Sequence, residues 1–128
     1  MSHQIHDIGI AKQIGTYSDA IEVAPGLRWL FTSGTPGLEQ SGQLPSDIEG
    51  QAEIAWTHIV AMLKRAKMSV NDLVKVTHTL VCAEDIPAYA KVRWRFLGGA
   101  RRASMLLVAA ALVRPEFLIE VEAIAAKA

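Results

Sequence analysis

Two glutamates near the carboxyl end of the chain have a spacing that suits acid–base chemistry. Glu120 and Glu122 stand two positions apart inside the otherwise apolar run EFLIEVEAIAA. In a β-strand, residues two apart point to the same face, so the two carboxylates share one face and the residues between them share an apolar one. Either this is an ordinary solvated face, or one glutamate lines a partly desolvated pocket and acts as a general acid or base. Because neighbouring Cα atoms of the pair would be roughly 6.5 to 7 Å apart, we expect at most one working glutamate.

Other chemically capable residues give weaker patterns. Cys82 precedes two acidic residues rather than a cation, so we interpret it as a buried structural cysteine. The loop TSGTPG contains Gly34 and Gly37, but it lacks the Gly-Lys-Ser/Thr of a phosphate loop. Four histidines lack metal-ligand spacing, so no metal site is predicted: His3, His6, His58 and His78. Four arginines form a basic cluster, interpreted as a solvated face with an anion site as the alternative: Arg93, Arg95, Arg101 and Arg102.

Composition predicts one folded domain, residues 1–128, rather than a disordered chain. Apolar residues make up 51% of the 128 positions and charged residues 20%. Thirteen basic side chains balance thirteen acidic ones, which argues against a nucleic-acid or membrane-surface binder. The segment MSHQIHDIGIAKQ has no apolar h-region, so we expect no secretory signal. The longest apolar run is too short to span a bilayer, and there is one cysteine. We therefore expect a soluble, cytoplasmic protein.

The elements that must position these residues follow from periodicity and turn residues. YSDAIEVAPGLRWLFTSG predicts a β-hairpin around Pro25-Gly26, followed by a loop from Thr35 to Asp47. Ser46 and Glu49 form a predicted capping box before a helix. The helix has apolar residues at 3.6-residue spacing: Ile48, Ala52, Ala55, Trp56, Ile59, Leu63 and Ala66. Then follow a strand in DLVKVTHTLVC, a helix over 85–97, and strands in SMLLVAAAL and FLIEVEAIAA.

The apolar strand MLLVAAAL predicts an oligomer. It is apolar at both odd and even positions, so both of its faces should be covered. Two helices can cover one face of a sheet of about five or six strands. We expect the other face to meet a second copy of the chain.

Several segments together resemble the Rid (YjgF, reactive-intermediate deaminase) family over nearly the whole chain. They are IGTYSDAIEV, FTSGTPG, QAEIAWTHIVAMLKRAKMSVNDLVKVTHTLV and the ending IEVEAIA. The resemblance implies a chorismate-mutase-like α+β fold, a mixed sheet of about six strands with two helices on one face. It also implies a homotrimer with pockets at the subunit interfaces. Deaminase members hydrolyse enamines and imines to a ketoacid and ammonia, with no metal or organic cofactor.

The resemblance also implies roles for individual residues. Tyr17 matches the pocket tyrosine, and Gly34 matches the glycine whose N–H contacts the substrate carboxylate, with Thr35 beside it. Glu120 matches the glutamate that holds the attacking water. Leu106 stands where the family often has a cysteine whose backbone carbonyl helps to place that water.

One departure from the family pattern concerns the substrate carboxylate. Deaminase members bind it with an arginine, and Ser104 occupies that position here, preceded by Arg102-Ala103 instead of Pro-Ala. A serine hydroxyl cannot replace the charge of a bidentate arginine contact. Arg102, Arg114 or another arginine of the cluster could supply it. The chain thus resembles subgroups of the family that lack this arginine.

Two functions of different class remain as hypotheses. The first is an enamine or imine deaminase with a small-molecule pocket at the subunit interface, in which Glu120 orients water and Tyr17, Gly34 and Ser104 shape the pocket. The alternative is a non-catalytic ligand-binding or regulatory trimer that has lost this chemistry. A ribonuclease, as some relatives are described, is the least favoured because the composition is neutral and no paired histidines occur.

Overall fold

A computed structural model describes residues 3–128; residues 1 and 2 of the predicted domain lie outside this range. The described chain contains seven strands: β1 (His3–His6), β2 (Ala20–Val23), β3 (Arg28–Phe31), β4 (Thr35–Pro36), β5 (Leu73–Leu80), β6 (Ala103–Val108) and β7 (Ile119–Lys127). Two α-helices separate them, with α1 (Ile48–Arg65) before β5 and α2 (Ile86–Leu97) before β6.

The predicted α+β fold with a mixed sheet is confirmed. Five strands form the main sheet in the order β3-β7-β5-β6, with β4 also pairing with β7. β5 and β6 are parallel, and the other pairs are antiparallel. Both helices pack on one face, where their apolar side chains meet those of β5 and β7 in a single core. β1 and β2 form a separate two-stranded sheet, and the five strands of the main sheet agree with the predicted number of about five or six.

The predicted hairpin around Pro25-Gly26 is wrong. β2 pairs with β1, whereas β3 pairs with β7, opposite Ile124 at Phe31. The turn therefore carries the chain from one sheet to the other. Turn residues determine where a strand ends, but the burial of its apolar face against the core determines which strand it pairs with. The predicted loop from Thr35 likewise begins with β4.

α1 begins one residue later than the predicted capping box requires. Asp47 is the N-cap, with an extended backbone (φ −115°, ψ 162°), and its side chain accepts the Gly50 N–H at 3.2 Å. The predicted cap at Ser46 is therefore wrong. A carboxylate at this position also complements the helix dipole. The predicted apolar stripe is confirmed as buried from Ile48 to Leu63.

Gln51 connects α1 to the segment that leads into β7. It is 1% exposed, and its amide nitrogen donates to the carbonyls of Pro45 at 2.9 Å and Glu116 at 3.0 Å. Its amide oxygen accepts the Leu118 N–H at 2.8 Å. A buried amide with its hydrogen bonds satisfied in this way fixes where β7 begins.

The sheet face opposite the helices is open in the single chain and exposes several large apolar side chains. Phe31 is 68% exposed, Met105 54% and Leu107 38%, and Phe31 stacks on Trp29 with ring centroids 6.1 Å apart. Leu106, between the two exposed β6 residues, packs against the core on the other face. β6 thus carries apolar side chains on both faces. Over residues 3–128, the helices are too short or too polar to cross a bilayer.

Candidate functional site

The glutamates of β7 lie on the open face of the sheet. The register places Glu120 opposite Thr79 and Glu122 opposite Thr77 on β5. With Gly34, these residues line a depression of about 260 Å³, which we call the carboxylate half-site. Among residues 3–128, no arginine or lysine lines it. The pattern of alternation is confirmed, since Ile119, Val121, Ala123 and Ala125 are buried on the helix side.

Gly34 and Glu120 approach each other closely within the carboxylate half-site. A β-carbon built at Gly34 would lie 2.5 Å from Glu120 Oε1. Any larger residue at this position would have to displace the carboxylate. Gly34 therefore leaves the space in which the Glu120 side chain rests, and Glu120 is only partly exposed.

A second cavity lies on the helix side of the sheet, between α2 and the start of β6. Its polar lining residues are Thr16, Tyr17, His78, Arg93, Arg102 and Ser104. Two arginines line it, and within residues 3–128 no Asp or Glu does, so it favours an anion. We call it the arginine half-site. It has room for only about one or two water molecules.

Backbone contacts hold Tyr17 and Arg102 at the arginine half-site. Ser18 N–H donates to the Arg102 carbonyl at 3.0 Å, and Arg101 donates to the Tyr17 carbonyl at 3.2 Å. Arg102 Nη2 donates to the Asn71 carbonyl at 2.8 Å, while its Nε is buried without a partner in the described chain. Partial burial lowers the pKa of Arg102, opposed by the negative charge of Asp72.

A buried hydrogen-bond network ends at this second cavity. Trp56 Nε1 donates to Tyr89 Oη at 3.1 Å, and Tyr89 Oη is also hydrogen-bonded to His78 Nδ1. His78 Nε2 lies 3.0 Å from Ser104 Oγ. Burial, with the charge of Arg93 as a second cause, lowers the pKa of His78 to about 3. Burial raises the pKa of Tyr89, so both groups are neutral at physiological pH.

The remaining sequence-predicted site residues lie elsewhere. Arg114 is exposed and places its guanidinium 5.4 Å from the Phe117 ring centroid, outside both half-sites. Thr35 follows Gly34, but it lines a separate apolar groove beside α1. The side chain of Leu106 faces the core. The Leu106 carbonyl points to the outer edge of β6, the edge that faces away from β5. The Arg102 carbonyl points the same way, because backbone groups alternate in direction along a strand.

Cys82 is partly exposed, so the prediction that it is buried is wrong. Its thiol donates to Glu84 Oε1 at 3.0 Å, and this hydrogen bond raises the pKa of the thiol. Cys82 is therefore not activated as a thiolate. Among the described residues, no three His, Cys, Asp or Glu side chains gather where a metal ion could bind.

Within one chain, the predicted site residues fall into two separate groups. Glu120 and Gly34 lie on the open face of the sheet, whereas Tyr17, Arg102 and Ser104 line the helix side. Sequence reasoning missed that His78 and Tyr89 support Ser104. One sequence pattern indicated that His78 is buried. In β5 it alternates with more exposed residues and shares its face with the buried Val74, Val76 and Leu80.

Comparison with known proteins identifies the family. A family model described as "Endoribonuclease L-PSP" matches residues 9–127. Mouse 2-iminobutanoate/2-iminopropanoate deaminase is 33% identical over 114 residues, covering 88% of this chain and 82% of the mouse protein.

Solved structures agree with this match. A Rid-family protein of unknown function from Yersinia pestis superposes with a TM-score of 0.84 over 98% of both chains, at 23% identity. Escherichia coli TdcF with bound serine gives a TM-score of 0.73 at 26% identity, over 90% of this chain and 91% of TdcF. The fold is the α+β fold of these Rid-family structures. The chain belongs to the Rid (YjgF) family.

Proposed function

We propose that the chain forms a homotrimer in which the carboxylate half-site of one subunit meets the arginine half-site of the next. The observation that carries this proposal is their separation: a β-sheet lies between Glu120 and Ser104 within one chain. The two half-sites also have opposite charge. The exposed apolar side chains of the open face, among them Phe31 and Met105, support burial against another copy.

The joined pocket would hydrolyse a small 2-imino acid, as the name of the mouse relative states for that protein. Arg102 and Arg93 would pair with the substrate carboxylate in place of the family arginine that Ser104 replaces. Glu120 would accept a proton from water as the water oxygen bonds to the imine carbon. That proton then passes to nitrogen, which gives a carbinolamine. A second proton moves from its new hydroxyl group to nitrogen as the C=O bond forms and the C–N bond breaks, so that a 2-oxo acid and ammonia leave. The backbone N–H of Gly34, the carbonyl of Leu106 and the side chain of Tyr17 would orient water and substrate.

The direct test is turnover of freshly generated 2-iminobutanoate, followed as 2-oxobutanoate and ammonia. Glu120→Gln should abolish turnover while keeping the side-chain volume. Glu122→Gln is the matched control on the same strand and face, and should retain most activity. Equal losses in the two variants would contradict the assignment of Glu120.

Mixed oligomers test whether two subunits build each site. Glu120→Gln and Arg102→Gln subunits should each be inactive alone. Unfolded and refolded together in equal amounts, they should recover about one quarter of wild-type activity, because a quarter of randomly formed interfaces combine two intact half-sites. A site built within one chain would recover none.

A non-catalytic trimer is the second candidate, favoured by the neutral Ser104 at the family's arginine position. It predicts tight binding of 2-oxobutanoate without turnover of any imine in a panel. Ribonuclease activity is not proposed, although the family description names it: among the described residues no histidine lines the carboxylate half-site, and His78 is buried and neutral.

The partly exposed free thiol of Cys82 supports a reducing, cytoplasmic location.

A further inference from the structure

The proposed chemistry does not use the buried network behind Ser104. Trp56 and Tyr89 are 0% exposed and His78 is 1% exposed, and together they connect α1, α2 and β5. His78 and Ser104 both line the arginine half-site, and Ser104 is the partly exposed one of the two. The network thus leads from the core to the wall of a cavity that has no other neutral side-chain donor on β6.

The chemistry of each group fixes the direction of the hydrogen bonds. The indole nitrogen of Trp56 can only donate, so Tyr89 Oη accepts from it. The Tyr89 hydroxyl proton then has one remaining partner in the described chain, His78 Nδ1, which must accept it. A neutral histidine that accepts at Nδ1 carries its proton on Nε2.

This direction makes Ser104 a donor toward the cavity. His78 Nε2–H donates to Ser104 Oγ at 3.0 Å, so Oγ is occupied as an acceptor on its core side. No acceptor within residues 3–128 takes the Ser104 hydroxyl proton. The hydroxyl proton is therefore available to a ligand in the cavity, which Arg93 and Arg102 also line.

We infer that His78 and Tyr89 are positioning residues that hold Ser104 with its hydroxyl proton directed to a ligand oxygen in the arginine half-site. Ser104 then determines specificity: it selects ligands that present an oxygen acceptor there and disfavours those that present an N–H or ammonium group. The inference rests on the proposed function only for the choice of ligand. Which group donates in each hydrogen bond of the network can be measured without an assay of catalytic activity.

The first measurement is the tautomer of His78, from long-range ¹H–¹⁵N NMR of the assembled protein. We expect a protonated Nε2 and an unprotonated Nδ1. Tyr89→Phe removes the hydroxyl that fixes this state and should shift His78 toward the other tautomer. A wild-type His78 protonated on Nδ1 would overturn the inference, whatever the enzymatic activity.

The second measurement is the affinity for 2-oxobutanoate, titrated by calorimetry. Ser104→Ala should weaken binding about tenfold, as expected for one lost hydrogen bond to an anion, and Ser104→Thr should restore it. Tyr89→Phe should weaken binding by a smaller factor. The exposed control Ser41→Ala should change nothing.

A double-mutant cycle separates positioning from general destabilisation. If Tyr89 acts through Ser104, Tyr89→Phe should have no further effect on affinity in the Ser104→Ala background. Additive losses in folded protein would overturn the positioning role. Unchanged affinity in Ser104→Ala would overturn the donor role, while failure of imine turnover alone would count only against the proposed deaminase.

Discussion

Gly34 and Glu120 are in such close contact that a β-carbon at residue 34 would lie 2.5 Å from the Glu120 carboxylate oxygen. Because that oxygen ends a flexible side chain, Gly34→Ala should fold and instead push the carboxylate aside. We expect imine turnover to fall about 10- to 100-fold, the effect of displacing a reacting group by about 1 Å. The melting temperature should change little.

Gly99→Ala is the matched control for this substitution, since nothing lies within 4 Å of a β-carbon there. It should leave both turnover and melting temperature unchanged. If Gly34→Ala keeps full turnover, the contact has no role in placing Glu120.

The N-cap of α1 gives a second prediction, on stability. Asp47→Ala removes the acceptor of the Gly50 N–H and a favourable charge at the helix terminus, so the free energy of unfolding should fall by about 1 kcal/mol. Ser46→Ala should leave it unchanged. Urea denaturation of both variants decides which residue caps the helix, and a larger loss at Ser46 would contradict the assignment.

Gln51→Met is a third prediction. The substitution keeps the volume but leaves the Leu118 N–H and the Pro45 and Glu116 carbonyls without their partner. We expect a loss of roughly 2 to 4 kcal/mol in the free energy of unfolding, because buried polar groups without partners are costly. The exposed Gln43→Met serves as control, and equal stability of the two variants would disprove the role of Gln51.

The buried histidine predicts a pH dependence of stability. The pKa of His78 is about 3 in the folded chain, below its ordinary value of 6.5. Between these values the unfolded chain binds a proton that the folded chain excludes, so stability falls as the pH is lowered from about 6.5 toward 3. The slope should approach about 1.4 kcal/mol per pH unit. Urea unfolding at fixed protein concentration should show this slope reduced in His78→Gln, and parallel curves for the two proteins would contradict it.

Periodicity was sufficient to predict the elements that bury one continuous face. The apolar stripe from Ile48 to Leu63 and the alternation around Glu120 are both confirmed. Both could be predicted because the spacing of apolar residues in a sequence follows the period of the helix or strand. The fold class followed from the order of these elements and from the family resemblance.

Sequence reasoning failed where the outcome depended on contacts between distant segments. β3 pairs with β7, more than ninety residues away, and the residues of the turn before β3 do not predict this pairing. Ser46 and Asp47 are both good caps, and only the helix geometry selects Asp47. The His78 network joins three elements, so testing histidines only for metal-ligand spacing could not reveal it.

The outer edge of β6 has a consequence for the fate of a lone subunit. Beyond the bridge between Ser18 and Ala103, no described strand pairs with this edge, and Met105, Leu107 and Val108 are exposed along it. Unpaired backbone groups flanked by apolar side chains form a template for adding strands from other molecules. A substitution that blocks assembly should therefore yield precipitating protein rather than a stable monomer, so assembly would protect this chain from aggregation as well as complete its pocket.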